Sequence, residues 1–362
     1  MEYNLVEHLT GVRTFAINRQ QELAIVQGSS FFFKMGDEYI KYHDFPDDKI
    51  EINFNYFFYW NSNLGDGYVF INKKIIKINA YISCVLSESQ LQISRIIDNK
   101  PQYFIYDINS ESEKVVKSSA YNDSIFSKEA FFIEKCEKWP ARTIIEKVSI
   151  IEDKVIWQIN LKTLGKYFKK EYRVTRIIGI HNDELLVGCD NGVLLAINPN
   201  TGAIIYQWQV KKNNENELVG ETFVGSSHSC VILPQEHKLV GGGGTAICEV
   251  NLITRAVVTH HLRDKLKDNK LGDLFPESPY AMSDTHFITT SRTYTDNHDD
   301  WTPSYMVLLA INKQTFEIDW RHDFSKAISN KTINIAREST KVVGNKIYHL
   351  KEDGELFIFE KV

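Results

Sequence analysis

The chain is poor in the features that mark several large classes of protein. Only 8 of its 362 residues are proline, so a proline-rich linker between two domains is not expected. Its five cysteines, Cys84, Cys136, Cys189, Cys230 and Cys248, are odd in number, none are adjacent, and no CxxC occurs. That pattern supports neither a disulfide framework nor a zinc site; it fits reduced thiols in a cytoplasmic protein. The start, MEYNLVEHLTGVRTFAINRQ, lacks the basic region and continuous apolar stretch of a secretion signal. No apolar run approaches the ~20 residues that a membrane-crossing helix needs. Positive charge is not in excess either: 42 basic against 47 acidic residues leave a net charge of −5. Neither nucleic acid nor a membrane is therefore expected as a partner. Short basic runs, Lys169-Lys170 and Lys211-Lys212, read as solvated strand ends.

What is present is strand. Hydrophobic residues make up 43% and aromatics 12%, with many β-branched side chains, a mix suited to pleated, half-buried surfaces. Helical periodicity is scarce; short apolar or alternating runs recur instead, such as 22–28, 30–34, 56–60, 68–72, 103–109 and 154–160. The clearest unit spans 184–210. ELLVGCD reads as a strand, Asn191-Gly192 as a tight turn, VLLAIN as a second strand, Pro199 to Gly202 as another turn, and AIIYQWQV as a third strand.

The unit repeats. LVGGGGTAICEVNLITRAVV lies over LVGCDNGVLLAINPNTGAII at an offset of 53 without gaps. Asn251 and Thr254 then fall where Asn198 and Thr201 stand, and the same interval separates Asn312 from Thr315, Asn160 from Thr163 and Asn109 from Ser112. Repeats of ~40 to 60 residues indicate a propeller or a solenoid. The last repeat stops after its second strand, at 346–362, while Thr10-Gly11 near the N-terminus resembles Thr201-Gly202. Residues 10–17 are accordingly expected as the outer strand of the last blade, beside 355–361, which favours a ring over a solenoid.

The pattern carried by Leu186, Val187, Gly188, Gly192, Leu194, Ala196, Ile197, Asn198, Thr201, Gly202 and Trp208 resembles the repeat of PQQ-like propellers, the quinoprotein alcohol dehydrogenase-like superfamily. The resemblance is clearest over 181–262 and 304–361 and implies an all-β fold. The expectation is one domain over 1–362, a closed β-propeller of four-stranded blades. About seven blades fit the length, with six or eight open, and an N-terminal strand completes the C-terminal blade. Quinone-dependent members hold PQQ and usually calcium in the central channel, often beside paired cysteines. This chain has no such pair and no recognisable acidic calcium set, so no cofactor and no metal are expected.

Candidate sites are judged against this repeat. Gly241 to Gly244 precedes a strand rather than a helix and coincides with a strand end, so it reads as a turn or bulge, not a phosphate cradle. Ser226, Ser227 and His228 lack the elbow that would expose a nucleophile. His260-His261 read as strand neighbours facing opposite ways, and Trp208 and Trp320 as blade-packing residues. The repeat is broken in two places. Segment 263–280 is polar with Leu266, Leu271 and Leu274, and reads as a short helix or an ordered surface loop. Segment 291–304 carries Arg292, Tyr294, Asp296, His298, Asp299, Asp300 and Trp301 where other blades use a tight turn. It reads as an extended hairpin loop, either a solvated acidic loop or a partner-binding one, since exposed aromatics anchor interfaces. Those seven residues, with Leu271 and Phe275, are the candidate contact set. The expected function is non-catalytic: an intracellular protein-binding propeller, in one version inhibiting or neutralising a partner enzyme or toxin. The alternative is an enzyme or small-ligand receptor using the central channel.

Overall fold

Local chemistry reverses the chain at short intervals. Asn72-Lys73, Asp98-Asn99 and Asn182-Asp183 each hold positive φ at both central positions, between +47° and +60°. That is the two-residue hairpin geometry whose twist matches the flanking strands, and Asn and Asp tolerate it better than other side chains. Asn191-Gly192 turns differently: Asp190–Gly192 forms a single 3-10 turn with Gly192 at φ +73°, so the loop is longer than a two-residue hairpin.

The computed structural model describes the chain except residues 1, 19, 45–50, 55–57, 62–64, 88, 117–124, 128–129, 139–140, 150, 165, 168–169, 209–210, 213–217, 220–229, 276–280, 294–305, 325–338 and 352. Among the described residues the strands build eight four-stranded antiparallel sheets, the upper end of the expected span of six to eight. Blades 1 to 7 run in chain order over 12–44, 51–78, 81–116, 125–160, 174–208, 231–261 and 281–323. Blade 8 takes three strands from 339–361 and its fourth from Tyr3–Leu9. First strands of neighbouring blades touch, as 12–17 touches 51–54 and 174–181 touches 231–233, which places them around the axis.

Eight blades in an open stack would share seven seams; here eight apolar clusters fill eight seams. The eighth packs Val12, Phe15, Leu23 and Ile25 of blade 1 on Tyr348, Leu350, Leu356 and Ile358 of blade 8, which closes the ring. Closure buries the apolar faces that the first and last blades of an open arrangement would leave exposed. The N-terminus does complete the last blade, but through Tyr3–Leu9 paired with Leu356–Lys361, not through residues 10–17. Strand Val12–Ile17 is instead the inner strand of blade 1. Burial decides this: Val12, Phe15 and Ala16 are 3% exposed or less, whereas Leu5 and Val6 are 47% and 50% exposed, as suits an outer strand. Gly11, at φ +71°, turns the chain from one role to the other.

The spaced Asn and Thr have one structural job. Asn198 Oδ1 accepts the backbone N–H of Asn200 at 2.9 Å and of Thr201 at 3.0 Å; Asn251 and Asn312 do the same two and three residues on. These side-chain turns fix where the third strand of a blade meets the fourth. In blade 3 the accepting residue is Asp107, with Asn109 and Ser110 donating, so the repeat lies two residues earlier than the Asn109 and Ser112 spacing suggested. Outer-strand tryptophans then pin a blade to the next one in three places. Trp157 Nε1 donates to the Pro199 carbonyl at 3.0 Å, Trp208 to Arg255 at 2.8 Å and Trp320 to Tyr3 at 3.2 Å, each across a seam. Gly202 is required where Trp157 lands, because a Cβ there would sit 2.9 Å from the indole.

Candidate functional site

In an up-and-down sheet of four strands, two kinds of connection leave each end. One end of this ring collects the links from first to second and third to fourth strands; none exceeds six residues, the longest being 198–203. The other end collects the middle hairpins and the blade-to-blade crossovers. There the links 161–173, 209–230, 262–280, 293–305 and 324–338 run from 13 to 22 residues. The middle hairpins of blades 3 and 4 also project at that end, their last pairs being Ile97 with Lys100 and Lys138 with Ala141. Lys170 and Lys211-Lys212, read from sequence as strand ends, lie in two small crossover hairpins on the same face; Lys169 is outside the described residues. The ring is thus asymmetric, trimmed on one face and loop-bearing on the other, and loops on a rigid scaffold are where binding residues concentrate.

Both breaks in the repeat fall on the loop-bearing face and they touch. The crossover from blade 6 to blade 7 begins with the helix Arg263–Asp268 and then crosses the seam. Gly244 and Leu274 exchange backbone hydrogen bonds at 3.1 and 2.7 Å, while Phe275 N–H donates to Thr290 and the Thr290 hydroxyl donates back to Phe275. Leu271 bridges Thr293, and the Ser291 hydroxyl donates to the Gly272 carbonyl at 3.1 Å. On the outer side Lys265 Nζ caps the Thr315 and Phe316 carbonyls, and Arg321 reaches the Asn269 carbonyl at 3.0 Å. Gly241 to Gly243 belong to the strand Lys238–Gly243 and Gly244 takes φ +60°, the strand end and turn expected of them.

Of the nine candidate contact residues, Tyr294, Asp296, His298, Asp299, Asp300 and Trp301 lie outside the described residues, as do Ser226, Ser227 and His228. Arg292 ends the strand His286–Arg292 opposite Met306, so the acidic segment does join a hairpin as its neighbours do. Phe275 is half-buried on the crossover. Leu271 is corrected: it is 1% exposed and packs with Leu262, Leu266 and Leu274 against Val240, Ile247 and Phe287. At roughly 1.5–3 kcal/mol for each buried leucine, these side chains anchor the crossover and do not face a partner. Leu262 and Leu266, four apart on one helical turn, are the sequence signal for that anchoring.

The buried ionisable groups serve the frame. Burial pushes the Cys84 thiol up to about 12 and Cys230 up to about 11, so neither is a thiolate nucleophile at neutral pH. His286 Nε2 sits 2.9 Å from Asp319 Oδ2, a carboxylate held low by Asn312 and His286 themselves. His181 Nε2 meets His237 Nδ1 at 2.9 Å across the seam of blades 5 and 6. Among the described residues no group of three His, Cys, Asp or Glu is placed to hold a metal ion. His260 stacks on Phe316 at 3.6 Å while His261 is exposed, as strand neighbours facing opposite ways should be.

His349 gives the frame a pH dependence. It is 0% exposed, its Nδ1 lies 2.9 Å from Thr340 Oγ1, and burial, then Lys351 and His322, lower its pKa from 6.5 to about 3. Below pH 6.5 the unfolded chain takes this proton and the native chain does not, so stability falls with pH until about pH 3. The loss attributable to His349 is expected to reach about 3 kcal/mol by ~pH 4.5. Urea midpoints of the native chain and a His349→Asn variant, at neutral pH and at ~pH 4.5, would check this. Equal losses in the two proteins would remove His349 as the cause.

No protein-family model matches the sequence, and a search of curated proteins finds no match. Solved structures do match. Saccharomyces cerevisiae Sqt1 is 9% identical with a TM-score of 0.57, covering 100% of this chain and 100% of that one. The computationally designed Ika8 protein is 9% identical with a TM-score of 0.56, covering 99% of this chain and 98% of that one. BamB from Moraxella catarrhalis is 11% identical with a TM-score of 0.43, covering 99% and 100%. No helix among the described residues is long and apolar enough to cross a membrane. At such identities the likenesses bear on the fold alone, and the fold is a closed β-propeller of four-stranded blades.

Proposed function

We propose that the chain is a non-catalytic protein-binding propeller that engages a macromolecular partner with its loop-bearing face, centred on blades 6 and 7. One observation carries this reading: every connection of 13 residues or more leaves the same end of the ring. A purely structural ring has no reason to segregate its long loops, whereas a docking surface needs them side by side. The anchored crossover 262–275 supplies a fixed platform, and the segment 293–305 departs beside it with three aromatics and three aspartates. In its specific form the function is occlusion of a partner enzyme or toxin in the cytoplasm by this rim. The repeat's likeness to PQQ-like propellers supports the scaffold and, without paired cysteines, brings no quinone chemistry with it.

The test compares pull-downs by the native chain and by a variant with 294–304 replaced by glycine and serine. The native chain should retain one stoichiometric partner, and the variant should lose it by about tenfold or more, as removal of aromatic anchors does. Full retention by a folded variant would place the interface elsewhere.

A further inference from the structure

The trimmed face carries a second feature, on the side of the ring opposite the proposed docking rim. A cleft of about 540 Å³ opens at the closure seam, and Lys34, Lys73 and Lys346 line it together with Glu22, Phe33 and Tyr348. We propose that this cleft binds a small organic oxyanion, a phosphate ester or a polycarboxylate, and that the ligand ties blades 8, 1 and 2 together.

The three ammonium groups come from three consecutive blades. Lys346 opens the second strand of blade 8, Lys34 lies in the third strand of blade 1, and Lys73 is the second central residue of a hairpin turn in blade 2. Their existing partners leave charge to spare. Lys73 has no ion pair among the described residues. Lys346 meets Glu360 only at 3.8 Å with both side chains more than a third exposed, a pair of negligible strength that an incoming anion displaces easily. Lys34 is ion-paired to Glu7 of the outer strand of blade 8, so the spare charge rests on Lys73 and Lys346. The one lining carboxylate is already engaged, because Glu22 accepts from Asn18 Nδ2 at 2.7 Å and gives its own N–H to Asn18 Oδ1 at 3.0 Å. That reciprocal pair also stiffens the 18–22 wall, so the cleft is largely built before a ligand arrives.

Size and lining choose the ligand class. The volume falls in the range of small-molecule pockets, ~300–1,000 Å³, but three lysines in the lining do not suit an apolar ligand. Phe33 and Tyr348, with Leu23 and Ile358, give a floor for a carbon body. Burial, then Glu7 and Glu360, raise the Tyr348 pKa, so its phenol stays protonated. Ammonium groups against doubly charged oxyanions form the strong class of hydrogen bond, and several at once give selectivity over chloride.

Calorimetry and thermal melting of the full chain would test this with inorganic phosphate, citrate and sodium chloride at matched ionic strength. Saturable binding of phosphate or citrate is expected, with a rise in melting temperature of a few degrees that sodium chloride does not reproduce. The arm that binds more tightly names the ligand's anionic group. The double variant Lys73→Ala, Lys346→Ala should weaken binding by about tenfold or more without changing the unliganded melt, because both side chains stand at the surface. Lys346→Arg, which keeps the charge, should bind nearly as the native chain does. Absence of saturation in both arms, equal stabilisation by sodium chloride, or undiminished binding by the double variant would each overturn the proposal.

Discussion

Trp208→Ala is expected to destabilise the ring by about 5 kcal/mol, close to the whole margin of many domains. Three effects add. The indole is 1% exposed and fills the seam of blades 5 and 6 among Leu186, Leu194, Leu239, Cys248 and Val250. Truncating a buried aromatic leaves a cavity and costs about 3–5 kcal/mol. Its Nε1 also satisfies the Arg255 carbonyl at 2.8 Å, and an acceptor left unpaired costs about 1–3 kcal/mol more. Finally, the Arg255 guanidinium stands 5.4 Å from the Trp208 ring while it holds Glu184, so the arginine loses one of its supports. Trp208→Phe separates these effects, since it keeps most of the packing and loses only the donor; about 1–2 kcal/mol is expected. Urea midpoints read at constant slope would settle both numbers. A loss below about 2 kcal/mol for alanine would mean that the turn, and not the tryptophan, holds the seam.

Trp208 and Trp320 were legible as packing residues because they lie near corresponding positions of the repeat, whereas Trp157 was not singled out. Asn198 and Thr201 stand out for the same reason: one side chain sets a turn, and few residue types can do it. The same chemistry hid blade 3. Asp107 accepts those backbone bonds as well as asparagine does, so the turn is spelled differently and the spacing pointed two residues too far. Blades 1 and 2 turn at Gly36 and at Asn72-Lys73 without any spaced Asn and Thr, so the motif could not count them; length alone suggested about seven blades, while the sheets number eight.

The candidate site was legible as interruption and not as surface. Segments 263–280 and 291–304 break the spacing, yet the end of the ring from which a loop leaves depends on strand order within the blade. That order appears only once every strand is placed. Leu271 was misjudged because a leucine in a polar segment looks the same whether it covers a core or meets a partner. The lysine cleft left no trace at all: residues 22, 34, 73 and 346 become neighbours only through closure.

Closure itself is the last expectation. Deleting residues 1–9 should cost more than about 4 kcal/mol and convert a monodisperse ring into an associating one. The strand Tyr3–Leu9 exposes most of its side chains, so its apolar burial is modest and the loss comes from elsewhere. Tyr3 is the exception: 5% exposed, with its ring 5.1 Å from Trp320, it contributes the ~3 kcal/mol of a buried aromatic. Its carbonyl also takes the Trp320 indole N–H at 3.2 Å, and Glu7 takes Lys34, so two donors of neighbouring blades lose their acceptors together. The backbone ladder from Tyr3 with Lys361 to Leu9 with Leu356 disappears as well, leaving Leu356–Lys361 as a bare edge. An edge carrying Phe357, Ile358 and Phe359 is a template for a second chain. A synthetic peptide of residues 1–9 added to the truncated protein should restore both the midpoint and the elution of the native chain, because the receiving edge is otherwise intact. Unchanged stability and monodispersity after truncation would show that the seam between Phe15 and Tyr348 closes the ring without the strand.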